Sequence, residues 1–234
     1  MASSSPPPER PSSPSSWPRG TSWDPEQSVW DEPAIRAAVP EVPQDALSYG
    51  NWVRRQREHF SGAKSLLVSF LVALAAGPLA VVGTFLSLDY TGALALLGAF
   101  LAPAVEEVMK AALPLWVVRR RPWWFLSPTQ IFLTMLASGA AFAAIENLLY
   151  LHVYIPHPEP WLVVWRWTVC VGLHTACTAL SALGLIRLWR GAVEQGEIPQ
   201  MERFLPWLTA AVLLHLAYNV GATIWGMMDY PGIR

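Results

Sequence analysis

Five apolar runs constrain this chain more than any other feature. They cover roughly residues 65–88, 93–118, 129–153, 162–188 and 204–228. Each holds about 24–27 residues, and the hydrocarbon core of a bilayer takes about 20 helical residues at 1.5 Å each. In lipid every backbone N–H and C=O must find its partner inside the segment, so runs of this length span as helices. A core helix of a soluble domain would be shorter and would show a polar face. Hydrophobic residues make up 53% of the 234 positions and charged residues only 14%. The expected fold is an all-α membrane protein, a bundle of about five transmembrane helices.

Basic residues orient the bundle. Arg54, Arg55, Arg57 and Lys64 precede the first run, Arg119, Arg120 and Arg121 follow the second, and Arg187, Arg190 and Arg203 surround the fourth-to-fifth connection. The alternate loops, near Asp89 and near His157, carry no Lys or Arg. By the positive-inside rule the N-terminus is cytoplasmic. Trp123, Trp124, Trp161, Trp165, Trp189 and Trp207 fall near the predicted interfaces, where Trp is enriched. Residues 1–45 are Pro- and Ser-rich and cannot bury a core, which predicts a disordered tail. Residues 46–64 read as a basic juxtamembrane segment with a short interfacial helix, 65–228 as the membrane domain, and 229–234 as a short outer tail. The net charge of -1 gives no ground for a nucleic-acid partner.

Against this background the polar residues inside the runs stand out. A carboxylate near the bilayer centre costs about 2.5–3.5 kcal/mol on insertion scales. The second run nevertheless holds Glu106, Glu107 and Lys110. The third holds Glu146 and Asn147 after Phe142, the fourth His174, and the fifth His215 and Asn219. Glu106, His174 and His215 lie within about two residues of their run midpoints, hence within about 3 Å of one plane; Glu146 lies roughly 8 Å further out. Glu106 and Lys110, at i,i+4, are expected to pair, leaving Glu107 without a partner in its own helix. His215 and Asn219 share a face, so the amide is expected to orient the imidazole. Arg166, Cys170, His174, Cys177, Thr178 and Ser181 form one polar stripe, with the two cysteines read as small apolar packing residues.

Such a set suits hydrolysis. A buried glutamate can act as general base on water, and imidazoles or an amide can stabilise an oxyanion. Two histidines and a glutamate also form a catalytic zinc set with one position open for water. Blander readings compete: a structural Glu106–Lys110 ion pair, hydrogen bonds between helices from Glu146 and Asn147, packing by Phe142. A proton-coupled transporter or relay would use similar residues, and a non-catalytic scaffold could recruit partners through the tail. No His-Glu-x-x-His and no pair of membrane-embedded aspartates is present.

Four ordered pieces, Glu106-Glu107-x-x-Lys110, Phe142-x-x-x-Glu146-Asn147, His174 and His215-x-x-x-Asn219, resemble the PrsW family of intramembrane proteases, within the superfamily of the CAAX prenyl endopeptidases. The resemblance covers about residues 65–228. It implies site-specific cleavage of membrane proteins, such as an anti-sigma factor, in a bacterial cytoplasmic membrane. It implies Glu106, Glu107, Glu146, His174 and His215 as catalytic residues, with Lys110, Phe142, Asn147 and Asn219 in support. It also implies either glutamate-activated water or a metal such as Zn2+ on His174, His215 and Glu146.

Overall fold

A computed structural model describes residues 48–75, 78–79, 82, 93–155 and 157–229. The chain divides into Met1–Ala46 and Leu47–Arg234, and all described residues belong to the second unit. The tail expected over 1–45 and residues 230–234 lie outside them. Among the described residues the regular elements are all helical: α1 (Tyr49–Glu58), α2 (Gly62–Leu74), α3 (Ala93–Arg120), α4 (Pro128–Leu149), α5 (Pro160–Trp165), α6 (Val171–Val193) and α7 (Leu205–Asp229). A π-helical turn, Tyr150–Tyr154, extends α4, and a second, Arg166–Cys170, joins α5 to α6.

Local chemistry starts these helices where they start. Ser48, Ser61 and Ser127 each accept a hydrogen bond from the backbone N–H three residues on, capping α1, α2 and α4. Pro128 and Pro160 occupy the first turns of α4 and α5, where a missing N–H costs nothing. Pro103 and Pro114 lie inside α3, which continues through both. Interior prolines are tolerated in membrane helices because neighbouring groups satisfy the freed carbonyls.

Among the described residues, three helical stretches are long and apolar enough to cross a membrane: Pro128–Val153, Pro160–Val193 and Leu205–Ala222. They fall on the third, fourth and fifth expected runs. The second run forms the 28-residue α3, which has the length but carries Glu106, Glu107 and Lys110 midway. The first run begins as α2, and most of its second half lies outside the described residues.

Helix α4 packs most extensively against α6, and α6 against α7. Gly139 sets the first approach. A Cβ there would stand 3.1 Å from the His174 carbonyl oxygen and would overlap the Thr178 side chain. Gly184 sets the second, with the Trp207 Cβ 2.8 Å from where its own Cβ would be. Val117, Phe125, Ile131, Leu185 and Trp189 fill the core at the basic end of the bundle. Two of the tryptophans near the expected interfaces are buried within the protein: Trp123 is 3% exposed and Trp189 2%. Trp189 Nε1 donates to the Pro122 carbonyl at 2.9 Å, and Trp52 meets Trp123 edge-on at 4.6 Å. Helix α1 thus docks on the α3–α4 connection, with Arg57 donating to the Leu126 carbonyl at 2.6 Å.

The close α4–α6 approach has a measurable consequence. Gly139→Val overpacks the contact and should lower the melting temperature of the detergent-solubilised protein, by about 1–3 kcal/mol of stability. An unchanged melting curve would mean that the helices do not meet at this glycine.

Candidate active site

Four helices bring their polar residues to one buried cluster. Glu106, Glu107 and Lys110 come from α3, Glu146 from α4, His174 from α6 and His215 from α7, and all are buried. Phe142 lies under the cluster. The Lys110 ammonium sits 4.5 Å above its ring, and the His174 ring stands 5.7 Å away. The two imidazoles meet edge to face at 4.9 Å. The stripe expected on the fourth run is buried at Cys170, His174, Cys177, Thr178 and Ser181.

Lys110 pairs with Glu107, not with Glu106. Its Nζ lies 2.6 Å from Glu107 Oε1 and 2.6 Å from His174 Nδ1. Both glutamates were within reach by helical spacing, at i−3 and i−4. The histidine on α6 draws the ammonium to the Glu107 side. Because the ammonium can only donate, His174 Nδ1 accepts, which leaves the ring hydrogen on Nε2. Nε2 approaches Glu146 Oε2 at 2.7 Å, an ion contact without in-line hydrogen-bond geometry.

His215 lies between the two α3 glutamates. Its Nδ1 is 2.8 Å from Glu107 Oε1 and its Nε2 is 3.7 Å from Glu106 Oε2. The ring nitrogen that donates to Glu107 is therefore oriented by a carboxylate. In the neutral ring Nε2 then carries a lone pair, and it faces a buried carboxylate oxygen that has no hydrogen-bond partner. Two electron-rich atoms across such a gap call for a cation or a proton between them. Donors held about 2.1 Å from one tetrahedral ion are about 3.4 Å apart, close to the 3.7 Å gap seen here.

Glu106, His174 and His215 offer one ligand atom each, all within 4.8 Å of one another. This is a His₂Glu donor set of the kind zinc takes; the residue types fit a metal, and His174 would join it once Lys110 releases Nδ1 or the Nε2 proton leaves. Glu106 stands where the sequence reading put Glu146, which the structure sets against His174 instead. A second grouping, Glu107, Cys177 and His215, meets the same limit. Lys110 contacts one member of each set, Glu107 of the second and His174 of the first, and Glu106 is the carboxylate it leaves unpaired. Cys177 was read as packing; its position one helical turn after His174 was the available signal. Asn147 turns away from the imidazoles. Its amide exchanges hydrogen bonds with Arg166, at 2.8 Å to the backbone carbonyl and 3.0 Å from Nε.

The model of the PrsW family intramembrane metalloproteases matches residues 61–231. The chain belongs to the PrsW family. It is a peptidase and an integral membrane protein, and its substrates are membrane proteins. Membership favours hydrolysis over the transport and scaffold readings. No curated protein and no solved structure matches the chain. The matched region of this PrsW-family chain carries the whole cluster and starts just after α1.

Removing one partner of a buried ion pair strands the other, at a cost of about 3–5 kcal/mol. Lys110→Met should therefore lower the melting temperature sharply in detergent. Lys110→Met combined with Glu107→Gln should recover part of the loss. If the single variant melts like the wild type, the Lys110–Glu107 contact is not made in the folded protein.

Proposed function

We propose that this PrsW-family peptidase hydrolyses a peptide bond of a membrane-spanning substrate with water activated between Glu106, Glu107 and the two histidines. One observation carries the reading: Glu106 Oε2, with no hydrogen-bond partner, faces His215 Nε2 at 3.7 Å, and Glu106, His174 and His215 each offer a ligand atom within 4.8 Å of the others. Glu106, His174 and His215 would hold the metal, with Zn2+ the ion that suits the donors. When bound, such an ion polarises a carbonyl and lowers the pKa of water.

The remaining residues act through protons and orientation. Glu107 Oε1 is held by Lys110 and faces His215 Nδ1, whereas its Oε2 has no hydrogen-bond partner. Oε2 accepts a proton as the water oxygen bonds to the scissile carbonyl carbon. The same oxygen returns the proton to the leaving amine nitrogen as the C–N bond breaks. Lys110 supplies the fixed positive charge of the site and Glu146 orients His174. Phe142 walls the cluster from the apolar side.

The wider setting belongs to the same proposal. Five spans with a cytoplasmic N-terminus are supported by the basic ends of α3 and α6, where Arg119, Arg120 and Arg190 lie. The family resemblance points to a membrane-anchored regulator such as an anti-sigma factor as substrate, and to a bacterial cytoplasmic membrane as the location.

The test uses the full chain in lipid vesicles with an internally quenched single-span peptide. Glu106→Gln, Glu107→Gln, His174→Ala and His215→Ala should each lower turnover about a hundredfold or more. Metal analysis of the purified protein should find zinc that is lost in His174→Ala. Wild-type turnover in Glu106→Gln would defeat the reading. Full activity in metal-free protein would remove the metal and leave glutamate-activated water.

A further inference from the structure

A second cation holds the far side of Glu146. Arg166 Nη2 lies 3.4 Å from Glu146 Oε1, while Glu146 Oε2 meets His174 Nε2 at 2.7 Å. The carboxylate is thus gripped at both oxygens by residues of one long span, Pro160–Val193. The guanidinium is itself fixed on every side. Its Nε donates to Asn147 Oδ1 at 3.0 Å, and Asn147 Nδ2 donates back to the Arg166 carbonyl at 2.8 Å. Its planar face lies 3.8 Å above the Tyr150 ring. Only 12% of its side chain is exposed.

The backbone is unusual where these contacts form. Arg166 opens the π-helical turn Arg166–Cys170, and Tyr150 opens the other, Tyr150–Tyr154. Such turns interrupt the α-helical ladder and recur at functional sites. Each here starts with a residue that embraces the same guanidinium or supplies it. An arginine inside a spanning segment carries a cost that reaches about 2.5–3.5 kcal/mol at the helix centre and falls toward the ends. Adhesion between α4 and the 160–193 span needs no charge, since Gly139 already brings the helices into contact.

We propose that Arg166 is a positioning residue of the peptidase site: it fixes the Glu146 carboxylate and, through it, the angle of the His174 imidazole. The inference rests on His174 working in hydrolysis as set out above. Arg166 does not touch the reacting atoms. Its contacts engage Nε with Asn147, Nη2 with Glu146 and the planar face with Tyr150, which suits orientation of the carboxylate. The planar guanidinium matters as well as its charge, because stacking on Tyr150 and bonding to Asn147 set the direction of Nη2.

The experiment compares Arg166→Gln, Arg166→Lys, Glu146→Gln and the Arg166→Gln/Glu146→Gln double variant with the wild type, all full-length in vesicles, on the quenched single-span peptide. Arg166→Gln should lower kcat roughly ten- to a hundredfold with KM little changed, the loss expected when a partner orienting a site histidine is removed. Arg166→Lys should restore part of it. The double variant should fall no lower than Glu146→Gln alone. Wild-type kcat in Arg166→Gln, or losses that multiply in the double variant, would overturn the proposal. The peptidase reading would then still stand, provided Glu106→Gln is inactive. Melting temperatures of the same variants in detergent read the contact without activity. Non-additive shifts support it and additive shifts overturn it, even if no variant or wild type cleaves the peptide.

Discussion

The ammonium of Lys110 is the contact on which the arrangement depends. A charge that is 1% exposed in an apolar bundle survives only if its partners meet it closely. Glu107 and His174 both do, at 2.6 Å. Each partner then reaches a further helix, Glu107 to His215 on α7 and His174 to Glu146 on α4. One ammonium therefore sets the mutual register of four helices through side chains alone. Hydrogen bonds between membrane helices are individually modest, so the strength of this set lies in how much would be stranded if one member were lost.

The adjacent glutamates make sense in the same terms. Consecutive helical residues diverge by about 100°, and here they diverge around one imidazole. Glu107 faces Nδ1 and Glu106 faces Nε2. The first has its charge answered by Lys110; the second keeps a bare oxygen toward the ring. Two identical side chains thus meet different surroundings, the condition under which neighbouring carboxyl groups can take on separate acid–base roles. Two three-donor groupings share His215, and Lys110 contacts one member of each, leaving Glu106 as the carboxylate without a lysine partner.

Much of this was legible in the sequence. The lengths of the apolar runs gave the helices, the 3.6-residue period gave the buried stripe on α6, and counting from run midpoints put Glu106, His174 and His215 at one depth, where they now meet. Helical spacing could not choose between Glu106 and Glu107 as the partner of Lys110, since both lie within reach and the choice is made by His174 from another helix. Nor could it show the rotation of α4 that sets Glu146 against His174 rather than among the donors. Arg166 shows in the sequence as the first member of the polar stripe, but composition carries no pattern for the π-helical turn it opens. The packing of Trp123 and Trp189 was also not legible: a tryptophan near a helix end can face lipid or fill a corner, and here both are buried, with the Trp189 indole N–H donating to the Pro122 carbonyl.

The docking of α1 has a practical side. Family similarity starts at residue 61, yet Arg57 grips the Leu126 carbonyl and lies 5.3 Å from the Trp189 ring, beyond that boundary. Leu126 in turn is joined through Gln130 to Ser65 at the start of the first run. The corner between α3 and α4 is therefore clasped from outside the region that defines the family. Homology and mechanical integrity end at different residues, and a fragment cut where similarity stops would leave the corner beneath the acidic cluster without one of its fastenings.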